Sequence, residues 1–212
     1  MKSLNSPAAV VLAAGSGSRM GGVVKPLIRV GGRTIVQRVV QSLQAAGIER
    51  IVVVISAHTY EVRQTLIEAL KSSAAGISFV EVLNGRDQMH SLQQGLRQLG
   101  PARADVMVCL TDQPGIDALA IALLQMAFKA RPPHTDMVVP CVNSQPGNPV
   151  VLSSELAQDW QHRELQYIGK SWRQAHPQRV HHWSTDLTIY TTDLDTPGDL
   201  KAFGDLGLEL NL

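Results

Sequence analysis

Long apolar runs are missing from this 212-residue chain. The longest, such as Ile51 to Ile55 and Val106 to Leu110, fall far short of the roughly 18 residues a membrane helix needs. A helical membrane span is excluded. Cysteine is scarce: Cys109 and Cys141 stand too far apart for a C-x-x-C redox or zinc pair and read as two reduced thiols, not a disulfide framework. Net charge is scarce as well. Lys+Arg 19 against Asp+Glu 18 gives +1, which excludes a broad polybasic surface for nucleic acid or membrane but leaves room for one local phosphate pocket. Histidines at metal spacing are absent, since His181 and His182 are adjacent on a presumed strand and no H-x-x-x-H or His-Cys spacing occurs, which argues against zinc. The opening residues MKSLNSPAAV hold no long apolar stretch. No targeting signal is expected there, and the cytoplasm is the expected location.

What remains is a chain with 44% hydrophobic residues, expected to form a single domain over 1–212. A chain of this size buries about 70% of its unfolded surface and needs no covalent staple. Ala8 to Ala14 is an unbroken apolar run rich in Val, as in a strand covered on both faces of a parallel sheet. Similar runs recur at Ile51 to Ile55, Ile77 to Val82 and Asp105 to Leu110. Between them lie helical patterns at Thr34 to Ala46, with Thr34 as N-cap and Gly47 as stop, at Tyr60 to Ser72, and at Met89 to Leu99. This alternation predicts a three-layer α/β/α, Rossmann-like fold with a mostly parallel sheet and the ligand outside the carboxyl ends of its strands. From Arg131 onward prolines punctuate short strands near Asp136 to Val142 and Pro149 to Leu152, which predicts a small β-hairpin arm. Helices are expected at Ser154 to Trp160 and Glu164 to Ala175, strands near Arg179 to Trp183 and Leu187 to Thr192, and a last helix from Pro197.

The most informative stretch is Leu12-Ala13-Ala14-Gly15-Ser-Gly17-Ser-Arg19-Met20-Gly21-Gly22, followed by Lys25-Pro26-Leu27. Glycines directly after a buried strand let backbone N–H groups approach an anion, and Arg19 and Lys25 add cations for phosphate oxygens. The spacing reads as a polyphosphate cradle. It is not a dinucleotide fingerprint, because Met20 stands where glycine is required and the second strand ends in Ser56-Ala57-His58 without an acidic residue. An NAD(P)H oxidoreductase is disfavoured on that ground. Nor is it a Walker A loop, since no Lys-Ser or Lys-Thr follows the glycines.

The string Leu-Ala-Ala-Gly-x-Gly-x-Arg-Met-Gly with the later Lys-Pro-Leu resembles the signature of nucleotidyltransferases with the molybdopterin nucleotidyltransferase-like fold. The resemblance continues through Ser91-Leu92 with Gly95-Leu96, Leu110-Thr-Asp112-Gln113-Pro114, Gly147-Asn-Pro149-Val150, and Asp193-Leu-Asp195-Thr-Pro197-Gly-Asp199-Leu200. The Leu-Ala-Ala-Gly loop and the Asp112-Gln113-Pro114 triplet are similar to the molybdenum cofactor cytidylyltransferase subgroup. The reaction implied is attack by a terminal phosphate of molybdopterin on the α-phosphorus of CTP, with release of pyrophosphate. An acceptor phosphate is already ionised, so positioning and charge neutralisation carry catalysis, and no Ser-His-Asp or Cys-His set is needed.

By the same resemblance, Leu12, Ala13, Ala14, Gly15 and Gly17 cradle the nucleotide, and Arg19 and Lys25 are the catalytic cations on its triphosphate. Asp112, after the fourth strand, is the candidate Mg²⁺ ligand. As a cap it would compete with Asp117, which is better placed before the apolar run Leu119 to Met126. Asp195 is the second metal candidate, with Asp193 the alternative two positions earlier, on the same face if the segment is a strand. Asp195 or Thr196, before Pro197, also reads as the cap of the last helix. Asn84, Ser91 and Gly95 are expected around base and ribose. Asp87 replaces the glycine that relatives carry four residues before the serine, a change a left-handed backbone there would resist. Gly147, Pro149 and Arg173 fall on the acceptor side. The partners implied are CTP or another nucleoside triphosphate, a phosphorylated acceptor, and a molybdenum hydroxylase or its chaperone. A guanylyl or sugar-phosphate transferase of the same fold, and a nucleotide-binding escort without turnover, are the alternatives.

Overall fold

Strand β1 (Ala8–Leu12) is apolar and buried at every position because helices cover both faces of the sheet it runs through. Ala9 and Val11 belong to one core, Val10 and Leu12 to the other. The computed structural model describes residues 7–15, 22–71, 75–83, 87–101, 104–196, 198, 199, 203, 210 and 211. After β1 come the short antiparallel strands β2 (Arg29–Val30) and β3 (Arg33–Thr34), then α1 (Ile35–Ala45), β4 (Arg50–Ser56), α2 (Glu61–Leu70), β5 (Ile77–Val82), α3 (Gln88–Leu99), β6 (Val106–Leu110) and α4 (Ala118–Lys129). The second half holds β7 (Met137–Val142), β8 (Gln145–Pro146), β9 (Val150–Leu152), α5 (Ser154–Trp160), α6 (Lys170–Ala175), β10 (Val180–Ser184) and β11 (Leu210–Asn211).

The main sheet has the order β10-β7-β9-β6-β1-β4-β5, with β8 paired to β7, and β11 joins β2 and β3 in a separate small sheet. Strands β1, β4, β5 and β6 are parallel neighbours, while β9 runs antiparallel between β6 and β7. Residues of α1, α2 and α4 build the core on one face, and those of α3, α5 and α6 the core on the other. This is the three-layer α/β/α arrangement expected from the sequence, and the β7–β8 pair is the hairpin arm.

Local chemistry explains the boundaries. Thr34 caps α1 in a reciprocal box: its hydroxyl accepts from the Gln37 N–H at 3.3 Å, and the Gln37 side chain accepts from the Thr34 N–H at 2.8 Å. Such a cap contributes about 1 kcal/mol. Gly47, at φ +83°, then carries the chain out of the helix. Two expected elements differ. The stretch Glu164 to Ala175 is not one helix but a 3-10 turn at Leu165–Tyr167 followed by α6, because Gly169 adopts φ +64° between them. Leu187 to Thr192 is not a strand either. It holds a 3-10 turn at Thr188–Tyr190, pinned by the fully buried Tyr190, whose hydroxyl donates to the Ala120 carbonyl at 2.7 Å. Pro197, the expected start of a last helix, lies outside the described residues, though Gly198 and Asp199 are helical.

Candidate active site at the carboxyl edge of the sheet

Because β1, β4 and β6 are parallel and in register, the segments that follow them emerge at one edge. The start of the glycine loop is tied down there. The Thr111 hydroxyl donates to the Leu12 carbonyl at 2.9 Å, and the Ser56 hydroxyl to the Ala14 carbonyl at 3.3 Å. Ala13 is buried, and around Gly15 a side chain would meet no atom of the described residues within 4 Å. Gly17, Arg19 and Asn84, expected to contact the nucleotide, lie outside the described residues.

Lys25 opens a 3-10 turn, Lys25–Leu27, whose Pro26 is buried and fixes the turn against the core. Its side chain is only 15% exposed, and the ammonium donates to Asp195 Oδ1 at 2.7 Å. Asp112 follows β6 and is not a helix cap. Asp117 caps α4 instead, accepting from the Ala120 N–H at 2.8 Å. Asp112 Oδ1 is buried and has no hydrogen-bond partner among the described residues. Burial and the neighbouring carboxylate of Asp193 push its pKa up to about 6, opposed by Lys25 and reinforced by Asp195. A buried carboxylate with an orphaned oxygen, facing two further carboxylates, is short of positive charge. That donor set fits a hard divalent cation, which takes oxygen ligands. Among the described residues no three His, Cys, Asp or Glu side chains are grouped to hold a metal ion. A cation here would therefore complete its shell with phosphate oxygens and water, as Mg²⁺ in nucleotide sites does.

Asp193 and Asp195 do not share a strand face, since the segment is irregular. Asp195 turns to Lys25, while Asp193 Oδ1 accepts from Gln113 Nε2 at 2.8 Å. Burial raises the Asp193 pKa, and the Gln113 hydrogen bond lowers it. Asp199, inside the final helical turn, reaches back to the start of that turn: its Oδ2 accepts from the backbone N–H groups of Asp195 and Thr196 at 2.9 and 2.6 Å.

On the expected base side, Ser91 is buried and its hydroxyl donates to the Asp87 carbonyl at 3.4 Å. Asp87 is extended, at φ −69° and ψ 166°, and caps α3 by accepting from the His90 N–H at 2.7 Å. No left-handed backbone is required of it. Gly95 has a packing reason of its own: a Cβ there would stand 2.5 Å from Val10 Cγ1 and 2.9 Å from Val54 Cγ2, so α3 lies against β1 and β4 only because the side chain is missing. On the expected acceptor side, Gly147 sits so close to the Tyr190 carbonyl that a Cβ would stand 2.2 Å from its oxygen. Asn148, joined to Pro149 by a cis peptide bond, donates its N–H to the same carbonyl at 2.9 Å. Arg173, on α6, is not drawn to the carboxylates. Burial raises the Cys141 pKa, opposed by the charge of Arg173, while burial lowers the His182 pKa, with Arg173 and His181 adding to the shift.

Gln113 is the residue whose role the sequence did not show. Its amide reaches two groups of one distant segment, Tyr190 and Asp193, and the only signal was its place between Asp112 and Pro114 after a buried strand.

A mostly parallel α/β sheet with a lysine and carboxylates gathered at its carboxyl edge fits a nucleotide-handling enzyme. The chain belongs to the MobA-like NTP transferase domain family, a nucleotidyltransferase family whose model matches residues 9–180. Among relatives, it is 33% identical over 124 residues to the bifunctional protein GlmU of Caulobacter vibrioides, covering 58% of this chain and 26% of that protein. It is 32% identical over 83 residues to the adenosylcobinamide-phosphate guanylyltransferase of Methanocaldococcus jannaschii, covering 36% of this chain and 42% of that one. The match thus spans less than half the length of either relative. Solved structures share the fold. The 4-diphosphocytidyl-2C-methyl-D-erythritol synthase of Anaerococcus prevotii superposes with a TM-score of 0.73 at 16% identity, covering 96% of this chain and 97% of that one. Rv0371c of Mycobacterium tuberculosis H37Rv, in complex with manganese, superposes with a TM-score of 0.70 at 21% identity, covering 93% and 97%. No helix among the described residues is long and apolar enough to cross a membrane.

Proposed function

We propose that the chain is a Mg²⁺-dependent cytidylyltransferase that transfers CMP from CTP to molybdopterin and releases pyrophosphate. The observation that carries this reading is the meeting of Lys25 and Asp195 at 2.7 Å beside the buried carboxylate of Asp112, one oxygen of which has no partner among the described residues. Lys25 would exchange its carboxylate for a triphosphate oxygen, with Arg19 as the second cation. Asp112 and Asp195 would hold Mg²⁺, which when bound supplies positive charge against the triphosphate. A phosphate oxygen of the acceptor attacks the α-phosphorus. The new P–O bond forms as the bond to the bridging oxygen of the β-phosphate breaks, and pyrophosphate leaves with the electron pair. The acceptor oxygen is already anionic, so no side chain has to take its proton, and positioning with charge compensation does the catalysis.

In this scheme the backbone from Leu12 to Gly15, with Gly17, lines the phosphates. Asn84, Ser91 and Gly95 stand on the base and ribose side, and Gly147, Pro149 and Arg173 on the acceptor side. Cytosine is supported by the Leu12-Ala13-Ala14-Gly15 loop and the Asp112-Gln113-Pro114 triplet. GTP is the alternative, supported by the 32% identity to a guanylyltransferase. A molybdenum hydroxylase or its chaperone in the cytoplasm would receive the product. The test is pyrophosphate release from CTP, GTP and UTP, each with molybdopterin and Mg²⁺. Release with CTP alone is expected. Release with GTP alone would reassign the chain as a guanylyltransferase, and release with none would make it a nucleotide-binding escort.

A further inference from the structure

The carboxylates of the site come from two segments with no shared secondary structure: Asp112 lies just after β6, and Asp193 and Asp195 follow the turn at Thr188–Tyr190. Something else must set their spacing. The Gln113 side chain is 1% exposed, and its Nε2 donates both to the Tyr190 carbonyl at 2.9 Å and to Asp193 Oδ1 at 2.8 Å. Both partners are acceptor-only oxygens, so the amide orientation is fixed by its neighbours. Next to it the Leu194 N–H donates to the Asp112 carbonyl at 2.6 Å. The Tyr190 carbonyl is shared: it also accepts from the Asn148 N–H at 2.9 Å and presses against Gly147. One buried amide therefore joins the end of β6, the carboxylate segment and the Gly147-Asn148-Pro149 turn.

We propose that Gln113 is a positioning residue, whose two amide hydrogens hold the Asp193-Leu194-Asp195 segment in register with Asp112 and with the acceptor turn. This rests on the nucleotidyl-transfer reading above for its kinetic consequence, though not for the clamp itself. The side chain is specific for the task. Methionine has similar volume and no donor, and glutamate would replace two donors with a charge in a site already holding three carboxylates. Asp193 is then an anchor for the amide and not a metal ligand. An asparagine there keeps an acceptor oxygen for Gln113 and an alanine does not.

Two measurements test the clamp. In hydrogen exchange on the free protein, Gln113→Met is expected to speed exchange at the Leu194 and Asn148 amides by about tenfold, with β1 and β4 unaffected. In steady-state pyrophosphate release with Mn²⁺ as the metal, Gln113→Met and Asp193→Ala are each expected to lower kcat about tenfold and to raise the half-saturating Mn²⁺, with the nucleotide KM within about twofold. Asp193→Asn is expected to retain turnover. Because Asp193 is partly exposed, its variants keep the test open even where Gln113→Met folds poorly. Unchanged exchange, unchanged kcat, or equal losses in Asp193→Asn and Asp193→Ala would each overturn the proposal. A wild type that releases no pyrophosphate from any nucleotide would refute the functional reading instead, and the clamp would then be decided by amide exchange alone.

Discussion

Lys25 and Asp195, 170 positions apart in the chain, form an ion pair at 2.7 Å across the carboxyl edge of the sheet. Lys25 also acts on Asp112, one oxygen of which has no hydrogen-bond partner among the described residues. In the proposed reaction this lysine would exchange a carboxylate for a phosphate once a divalent cation takes over the negative charge.

Lys25→Ala is therefore expected to keep the fold and lose function. The pair is partly exposed, with Asp195 at 42%, so its loss changes stability little. Turnover in pyrophosphate release should fall at least about a hundredfold, equivalent to roughly 2.7 kcal/mol of transition-state stabilisation. A thermal melt beside the rate assay separates the two effects, and wild-type rates from this variant would remove Lys25 from the site.

Asp112 should set a pH dependence of stability in the metal-free protein. Its folded pKa is raised to about 6, above its ordinary value of 3.8. A raised carboxyl contributes stability that is fully present below the unfolded value and is lost as pH rises through the folded one. Between pH 4 and pH 8 the wild type should lose up to about 3 kcal/mol that Asp112→Asn does not lose. Urea unfolding of both proteins across that range is the check. At pH 8 the asparagine variant should be the more stable protein and the inactive one.

Gly95→Ala separates packing from ligand contact. The added methyl would stand 2.5 Å from Val10 and 2.9 Å from Val54, both fully buried strand residues. Overpacking of that kind costs about 1–3 kcal/mol. A lower midpoint in urea with normal kcat and KM per folded molecule would make Gly95 a packing glycine. A raised nucleotide KM at unchanged stability would place it in the base site.

Gly147→Ala should disturb the site from behind. A Cβ 2.2 Å from the Tyr190 oxygen forces backbone apart, which displaces the carbonyl that both Asn148 and Gln113 use. Both the acceptor KM and kcat are expected to worsen, each by about tenfold or more, with a loss of stability. A change confined to stability would detach the turn from the reaction.

Much of the architecture is written in patterns of short range. The all-apolar β1, the capping box at Thr34 and the N-cap at Asp117 each depend on residues within a few positions, and those elements lie where the pattern predicts. The failures come from long-range contacts. Leu187 to Thr192 has a strand-like composition, but the hydroxyl of Tyr190 bonds to Ala120, 70 positions away, and turns the segment into a short helix. Glu164 to Ala175 has helical residues on both sides of Gly169, and that glycine's positive φ splits it. At the site, residue types pointed to Lys25, Asp112 and Asp195. Gln113 escaped because its partners, Tyr190 and Asp193, are 77 and 80 positions away, and no local pattern encodes a clamp of that length.

The most direct test follows the α-phosphate itself. CTP labelled at the α-phosphorus is incubated with molybdopterin, Mg²⁺ and either wild type or Asp112→Asn. Label arriving on the acceptor with one pyrophosphate released per transfer, and none transferred by the variant, is the predicted result. Label that stays in CTP, or appears as free CMP in the presence of the acceptor, would contradict it.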